Sequence, residues 1–414
     1  MIQKNSVDPK ASKEKNISLE ALRSQKNKYK NIALVLQGGG GLGAYQAGVY
    51  EVLSEYDLSP NLISGISIGA INAAIIAGNA PKNRVAALQN FWETISQTPV
   101  PTQGGSLIWD MLGRTLPSFR SCINTFYSGL ALTFGQKGFF TPRIPPNFMQ
   151  QNVPTTEASF YDTKELKTSL ERFADFDRIN SREIRVAVGA VNVNSGNFVY
   201  FDNANIKLRA EHFMASGALP PGFPAVEIDG EFYWDGGLVS NSPLSFIVDM
   251  VPRHDSLIFQ VDLWSAIGHL PQNIGDVLER QKEIQYSSRT RFVTNEFVRL
   301  QKVRNELSNI IDSVADDKRI KHINGLLASL ACPKLFNIVH LIYQSKLYEN
   351  HAKDYEFSIQ SMREHWAAGA DDMRRTLQVP GVLNPPAENI GVVTHDVHRH
   401  NQNKKSNKKA AQNG

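Results

Sequence analysis

Two glycine-rich turns hold the residues best suited to chemistry: Gly38-Gly39-Gly40-Gly41-Leu42-Gly43 and Gly65-Ile66-Ser67-Ile68-Gly69. The second has the form G-x-S-x-G, in which Gly65 and Gly69 leave room for a sharp strand-to-helix bend that exposes the Ser67 hydroxyl as a nucleophile. Such pentapeptides arise by chance, so placement counts for more than letters. The first turn formally fits G-x-G-x-x-G, the fingerprint of a dinucleotide loop. That reading lacks its acidic ribose partner, because the next apolar run ends in Ser64-Gly65-Ile66-Ser67. A P-loop is excluded, since no Gly-Lys-Ser/Thr follows the glycines. What remains is a row of backbone N–H groups at a helix N-terminus, suited to negative charge, or a turn that simply lets strand and helix pack closely.

A serine nucleophile needs a base. Ten histidines are present, yet His254 follows Pro252-Arg253 in a polar loop, and His212 precedes Phe213-Met214-Ala215 in an apparent helix and reads as structural. The stronger candidate is Asp235, which follows the run Glu231–Trp234 and precedes Gly236-Gly237. The glycines let its carboxylate approach another loop, although an Asp before two glycines is also an ordinary turn.

The elements that must position these residues are legible in the apolar pattern. Asn31–Leu36 (NIALVL) is a continuous apolar run of strand length, and Asn61–Ile66 is a second. Ala44–Glu55 and Ile68–Ala77 read as helices. Strand, glycine loop, helix, strand, tight turn, helix opens a parallel α/β sheet, which brings the two turns, about 27 residues apart, to one sheet edge. Ser67 then lies beside the N–H groups of Gly39, Gly40 and Gly41, an oxyanion-hole arrangement assisted by the positive end of the following helix. Ile184–Val193 and Phe198–Phe201 predict an antiparallel pair, Ala225–Trp234 a hairpin turning at Asp229-Gly230, and Ser256–Leu263 one more buried strand. Between Gln97 and Thr156, prolines alternate with aromatics such as Trp109, Phe119, Phe126, Phe139, Phe140 and Phe148. This insertion is either packed core or a cover over an apolar pocket. From Gly275 to Leu377 the chain reads as helical, with Val293, Phe297, Leu300, Val303, Leu307 and Ile310 forming a face that packs on the main domain.

Charge is concentrated at the ends: the first 30 and the last 16 residues carry +5 each, leaving a body near −6. Basic residues clustered on a folded face, as nucleic-acid binding requires, are absent from that pattern. The most apolar window, Gly69–Gly78, is too short to span a bilayer, and no apolar segment follows the N-terminal charges as a secretory signal peptide requires. The two cysteines, Cys122 and Cys332, indicate neither a disulfide framework nor a metal site. A cytoplasmic location is expected, with peripheral contact to membranes left open.

The blocks QGGGGLGAYQAG, GISIG, Ala215-Ser216-Gly217-Ala218-Leu219-Pro220 and Asp235-Gly236-Gly237, in this order, resemble the four blocks of the patatin-like phospholipase family. The resemblance covers residues 31–265, and the helical stretch through Leu377 is similar to an extension carried by one bacterial branch. It implies an α/β fold, a three-layer α/β/α sandwich around a mainly parallel sheet, with a helical C-terminal extension. The implied organisation is a disordered basic tail over 1–30, a catalytic domain over 31–265, a helical extension packed on it over 266–380, and a disordered tail over 381–414. By position, the resemblance implies a Ser67–Asp235 dyad, an oxyanion hole from Gly38, Gly39, Gly40 and Gly41, and supporting roles for Gly43, Ser216, Pro220, Gly236 and Gly237. It implies hydrolysis of acyl esters in glycerophospholipids and neutral lipids, with no metal or organic cofactor. The expected partner is a lipid or ester substrate, with no nucleic acid and an open oligomeric state. One departure is Leu42, where many patatin-like proteins carry Arg or Lys. The competing class is a catalytically silent lipid- or protein-binding module on the same fold; a nucleotide-dependent oxidoreductase is the remote third.

Overall fold

The computed structural model describes residues 19–97, 117–146, 152–313, 326–346, 348–349 and 352–396. In chain order the strands are β1 (Asn31–Leu36), β2 (Leu62–Gly65), β3 (Thr141–Pro142), β4 (Tyr161–Asp162), β5 (Arg185–Asn192), β6 (Phe198–Asp202), β7 (Val226–Ile228), β8 (Glu231–Asp235), β9 (Ser256–Asp262), β10 (Phe336–Ile342) and β11 (Val392–Asp396). The helices are α1 (Leu19–Lys26), α2 (Ala44–Glu55), α3 (Ile68–Ala77), α4 (Arg84–Ile95), α5 (Pro117–Phe134), α6 (Lys164–Phe173), α7 (Phe176–Asn180), α8 (Ala210–Ser216), α9 (Leu244–Asp249), α10 (Ile274–Ser313), α11 (Leu326–Leu330) and α12 (Ile359–Leu377).

Alternate residues of β1 enter two separate cores. Ile32, Leu34 and Leu36 join residues of α2, α3, α4 and α12, whereas Ala33 and Val35 join residues of α9 and α10. A strand covered on both faces must be apolar at every position, which is why NIALVL shows no alternation. The result is the expected helix, sheet, helix sandwich. The main sheet runs β11-β10-β9-β1-β2-β5-β8-β7, with β6 on β5. The strands from β11 through β5 pair in parallel, and β6, β7 and β8 are antiparallel to their neighbours.

One strand brings the chemistry together. β5 uses one edge for β6 along Ala187–Val191, so β2 and β8 must share its other edge. β2 occupies the first part, ending with Gly65 opposite Val188. β8 arrives from the opposite direction and ends with Asp235 opposite Ala190. The end of each strand therefore faces the end of the other across Gly189. A Cβ at Gly189 would come within 2.5 Å of Ile66 Cδ1, and one at Gly236 within 2.6 Å of the Gly189 carbonyl oxygen. The approach requires both glycines.

The C-terminal region is helical in the main, with two corrections. The run Phe336–Ile342 lies within the expected helical extension, yet it pairs in parallel with β9 along its whole length and is buried by both helical layers. Val392–Asp396 lies within the expected disordered tail and adds to β10 as a further parallel strand. The N-terminal expectation also changes: α1 begins at Leu19, its Leu22 is buried, and the Tyr29 hydroxyl donates to the Leu383 carbonyl oxygen at 3.1 Å. The two ends of the folded chain thus brace each other. The expected tails 1–18 and 397–414 lie outside the described residues.

α10 corrects the periodicity argument. Phe297 packs inward as expected, but Leu300, Val303 and Ile310 are exposed. The buried stripe is offset and polar, formed by Thr290, Thr294, Gln301, Asn305 and Ser308. Gln301 donates to the carbonyl oxygens of Cys332 and Lys334, and Asn305 to that of Glu388. Burial is offset here by side-chain hydrogen bonds to loop carbonyls that have no ladder partner. Among the described residues, no helix is long and apolar enough to cross a membrane.

Candidate active site

Ser67 sits between the end of β2 and the start of α3, with φ 54° and ψ −123°. A non-glycine residue held there costs about 1–3 kcal/mol, so its surroundings must fix it. The Ser67 N–H donates to both the carbonyl oxygen and the Oγ of Ser216, each at 3.1 Å. The bend leaves no space at its flanks: a Cβ at Gly65 would lie 2.5 Å from the Gly69 carbonyl oxygen, and one at Gly69 2.3 Å from that of Leu36. Gly43 plays a similar part for the helices, since a Cβ there would meet Ile68 Cγ1 at 2.5 Å.

Asp235 ends β8 and is only 2% exposed. Its N–H donates to the Ala218 carbonyl oxygen at 3.0 Å, and its Oδ1 accepts from the Gly237 N–H at 2.7 Å. Burial pushes its carboxyl up to about 7, against the opposing hydrogen bonds from the Gly237 N–H and the Ser67 side chain. The carboxylate is thus beside the hydroxyl that it would have to deprotonate, with a proton affinity matched to neutral pH.

The glycine loop is held from several directions. The Gly38 carbonyl oxygen accepts from Asn241 Nδ2 at 3.0 Å and from Trp264 Nε1 at 2.9 Å. The Gly38 N–H points to the Asn241 carbonyl oxygen at 3.4 Å. Gly38 is thereby tied to Asn241 on both sides, and it lines the cavity. Gly41 is buried, and a Cβ there would lie 2.6 Å from the Glu356 carbonyl oxygen. Gly39 and Gly40 also line the cavity, with Gly40 opening a 3-10 turn over Gly40–Gly43 whose first N–H groups have no partner within the turn. Gly40 has φ +54°, and a Cβ there would lie 2.1 Å from the Asp354 carbonyl oxygen.

These groups open onto a cavity of about 370 Å³ whose wall includes Ser67, Asp235, Ile71, Phe139, Phe140 and Phe223. Phe139 and Phe140 are also buried members of the first core, so the insertion both packs and covers. Trp109, Phe148 and the Phe119 side chain lie outside the described residues. Pro220 does not line the cavity, although its neighbours Leu219 and Pro221 do. Among the described residues, no histidine lines it. His212 is buried elsewhere, with Nδ1 accepting from the Arg209 N–H at 2.9 Å and its ring against Phe201. Among the described residues, no cluster of His, Cys, Asp or Glu is arranged to hold a metal ion.

Sequence reasoning missed Asn241, Trp264, Tyr286 and the short turn Lys353–Tyr355 with Phe357. The turn crosses the glycine loop and contributes Asp354 and Tyr355 to the cavity wall. Its anchor is Lys353, buried between Glu279 (2.7 Å) and Glu283 (2.9 Å) with its ammonium over the Trp264 ring. Asn241 carries a faint local signal, six residues after Asp235. The turn carries none, because its contact is purely tertiary.

Two family profiles match the chain: a "Patatin-like phospholipase" profile over residues 34–247 and a "Patatin phospholipase" profile over residues 284–389. The first alone covers more than half of the sequence. The chain belongs to the patatin-like phospholipase family. A curated relative, the triacylglycerol lipase SDP1L of Arabidopsis thaliana, is 29% identical over 77 residues, which are 19% of this chain and 10% of the relative. The chain therefore matches about a tenth of that relative's length. Among solved structures, VipD from Legionella pneumophila is similar at 14% identity, covering 81% of this chain and 67% of that one, with a TM-score of 0.31. The type III effector ExoU of Pseudomonas aeruginosa is similar at 16% identity, covering 84% of this chain and 53% of that one, with a TM-score of 0.27. Within the patatin-like frame, Leu42 is fully buried in the first core, so the position where many members carry a cation is here a packing position.

Proposed function

We propose that this patatin-like chain is a serine acyl hydrolase acting on lipid esters. The observation that carries the reading is the placement of buried Asp235 beside a Ser67 held in a strained bend, at the wall of an apolar cavity. In this reading Ser67 Oγ attacks the ester carbonyl as its proton passes to Asp235. The N–H groups of Gly39 and Gly40 and the N-terminus of α3 stabilise the tetrahedral oxyanion. The alcohol leaves with the proton held by Asp235, and an acyl-serine remains. Asp235, ionised again by giving that proton to the departing alcohol, then takes a proton from the attacking water and returns it to Ser67 Oγ as the carboxylic acid leaves. The cavity wall of Phe139, Phe140 and Phe223 suits an acyl chain.

The test is a chain-length series of chromogenic esters given to the wild-type protein beside Ser67→Ala, with fluorophosphonate labelling in parallel. Turnover and labelling that both require Ser67 are expected. A folded protein with no turnover and no label would instead be a binding module on the same fold.

A further inference from the structure

The electrostatics of the cavity narrow the ester it accepts. Among the described residues lining it, none is Lys, Arg or His, whereas two are aspartates, Asp235 and Asp354. Behind the Lys353–Tyr355 side of the wall, cations are matched by carboxylates. Lys282 Nζ meets the two carboxylate oxygens of Asp354 at 2.9 and 3.0 Å. Lys353 is held by Glu279 and Glu283, and Arg280 pairs with Glu283 at 2.9 Å. Three cations thus face three carboxylates there, while Arg143 and Lys164 share Asp162 beside Phe160 and Tyr161, and ionised Asp235 adds a negative charge with no cation of its own among the described residues. The positive potential that remains belongs to the Gly39 and Gly40 N–H groups and the α3 N-terminus. In the acyl-transfer step that potential is taken up by the tetrahedral oxyanion.

A phosphate esterified close to the scissile bond would enter this wall as a second anion, and no described lining residue offers it a cation. Burying an ion unpaired is strongly disfavoured, and here it would also face like charge. A hydroxyl or a further acyl ester on the alcohol side brings no such penalty. Leu42 agrees with this, since a buried leucine in the first core supplies no cation to the loop.

We infer that the site takes acyl esters whose alcohol side is uncharged, of the acylglycerol class, and discriminates against esters carrying a phosphate next to the scissile bond, with Asp354 as a residue that sets the discrimination. The inference rests on the acyl-hydrolase reading. Its test uses the full chain and short-chain lipids below their aggregation concentration, so that no lipid surface enters the comparison. The measurements are kcat/KM for dihexanoylglycerol and for dihexanoyl phosphatidylglycerol, with p-nitrophenyl hexanoate as the reference ester. The neutral glyceride should be favoured by about tenfold or more. Asp354→Asn, which removes a negative charge from the wall and releases Lys282, should narrow that ratio by about threefold, and Lys282→Met should widen it by a similar factor. The second variant reads the same effect with the opposite sign if the first fails to fold. A ratio near one, or one favouring the phospholipid, overturns the inference. A ratio that neither folded variant moves removes Asp354 from it. No Ser67-dependent turnover of the reference ester would overturn the acyl-hydrolase reading and this inference together.

Discussion

The glycine loop stands between two walls that are held in place by different physics. On one side the serine bend is fixed almost entirely by backbone: the Ser67 N–H bonds to Ser216, and Gly65 and Gly69 pack so closely that no Cβ fits. On the other side the turn Lys353–Tyr355 is fixed by charge. Burial works to lower the Lys353 ammonium, and the attraction of Glu279 and Glu283 overrides it, leaving it above its ordinary value. The backbone wall determines atomic positions and tolerates little change. The charged wall depends on three side chains from two distant segments, and losing Lys353 leaves buried carboxylate charge that it had balanced.

Substitutions should separate the two walls. Ser67→Ala has the largest expected effect, a fall in kcat of about 10⁴-fold or more with unchanged thermal unfolding; ester kinetics and a melting curve on the same preparation check it. Lys353→Met leaves Glu279 without its cation and Glu283 with Arg280 alone, and should lower stability by about 3–5 kcal/mol, read from the urea midpoint. An unmoved midpoint would show that the charged wall contributes nothing. Gly40→Ala pushes a methyl group toward the Asp354 carbonyl oxygen, 2.1 Å away, and should cost about 10²- to 10³-fold in rate by displacing a donor. Gly129→Ala is the control, because a Cβ there meets nothing within 4 Å. The smallest effect concerns pH. Asp235 ionises at about 7 when folded, above the ordinary value of about 3.9, so the native state holds its proton more tightly than the unfolded chain. Its contribution is intact below about pH 4 and is lost as pH rises through 7. Asp235→Asn should therefore raise stability at pH 8 by on the order of 1–2 kcal/mol, with the gain shrinking toward pH 4. Over the same interval, wild-type kcat/KM should climb as the base ionises.

The backbone wall was legible in the sequence because its determinants are contiguous. NIALVL, the two glycine turns and the Asp235 turn each declare a local geometry, and the hairpin at Asp229-Gly230 follows the same logic: β7 and β8 pair across it. The contacts that hold Gly38 and Gly41 were not legible, because they come from Asn241 and Glu356, which approach only in the folded chain. α10 misled for a related reason. Periodicity marks the face that ought to be buried, yet Gln301 and Asn305 have acceptors waiting on loops far along the chain, and those bonds turn a polar stripe inward. β10 was missed although Phe336–Ile342 is a short apolar run of strand length, since it lies among helices and declares no turn of its own.

The position of β9 bears on how this protein can be handled. The first family profile ends at residue 247, before β9, β10 and β11, yet β9 pairs with β1 on one edge and β10 on the other. A fragment cut to the profile would leave β1, apolar on both faces and carrying the glycine loop at its end, as a bare edge with unpaired N–H and C=O groups. Such an edge is a template for strand addition by neighbouring molecules, so the trimmed protein should collect as insoluble aggregate. That first profile is shorter than the stretch needed to cover both edges of β1.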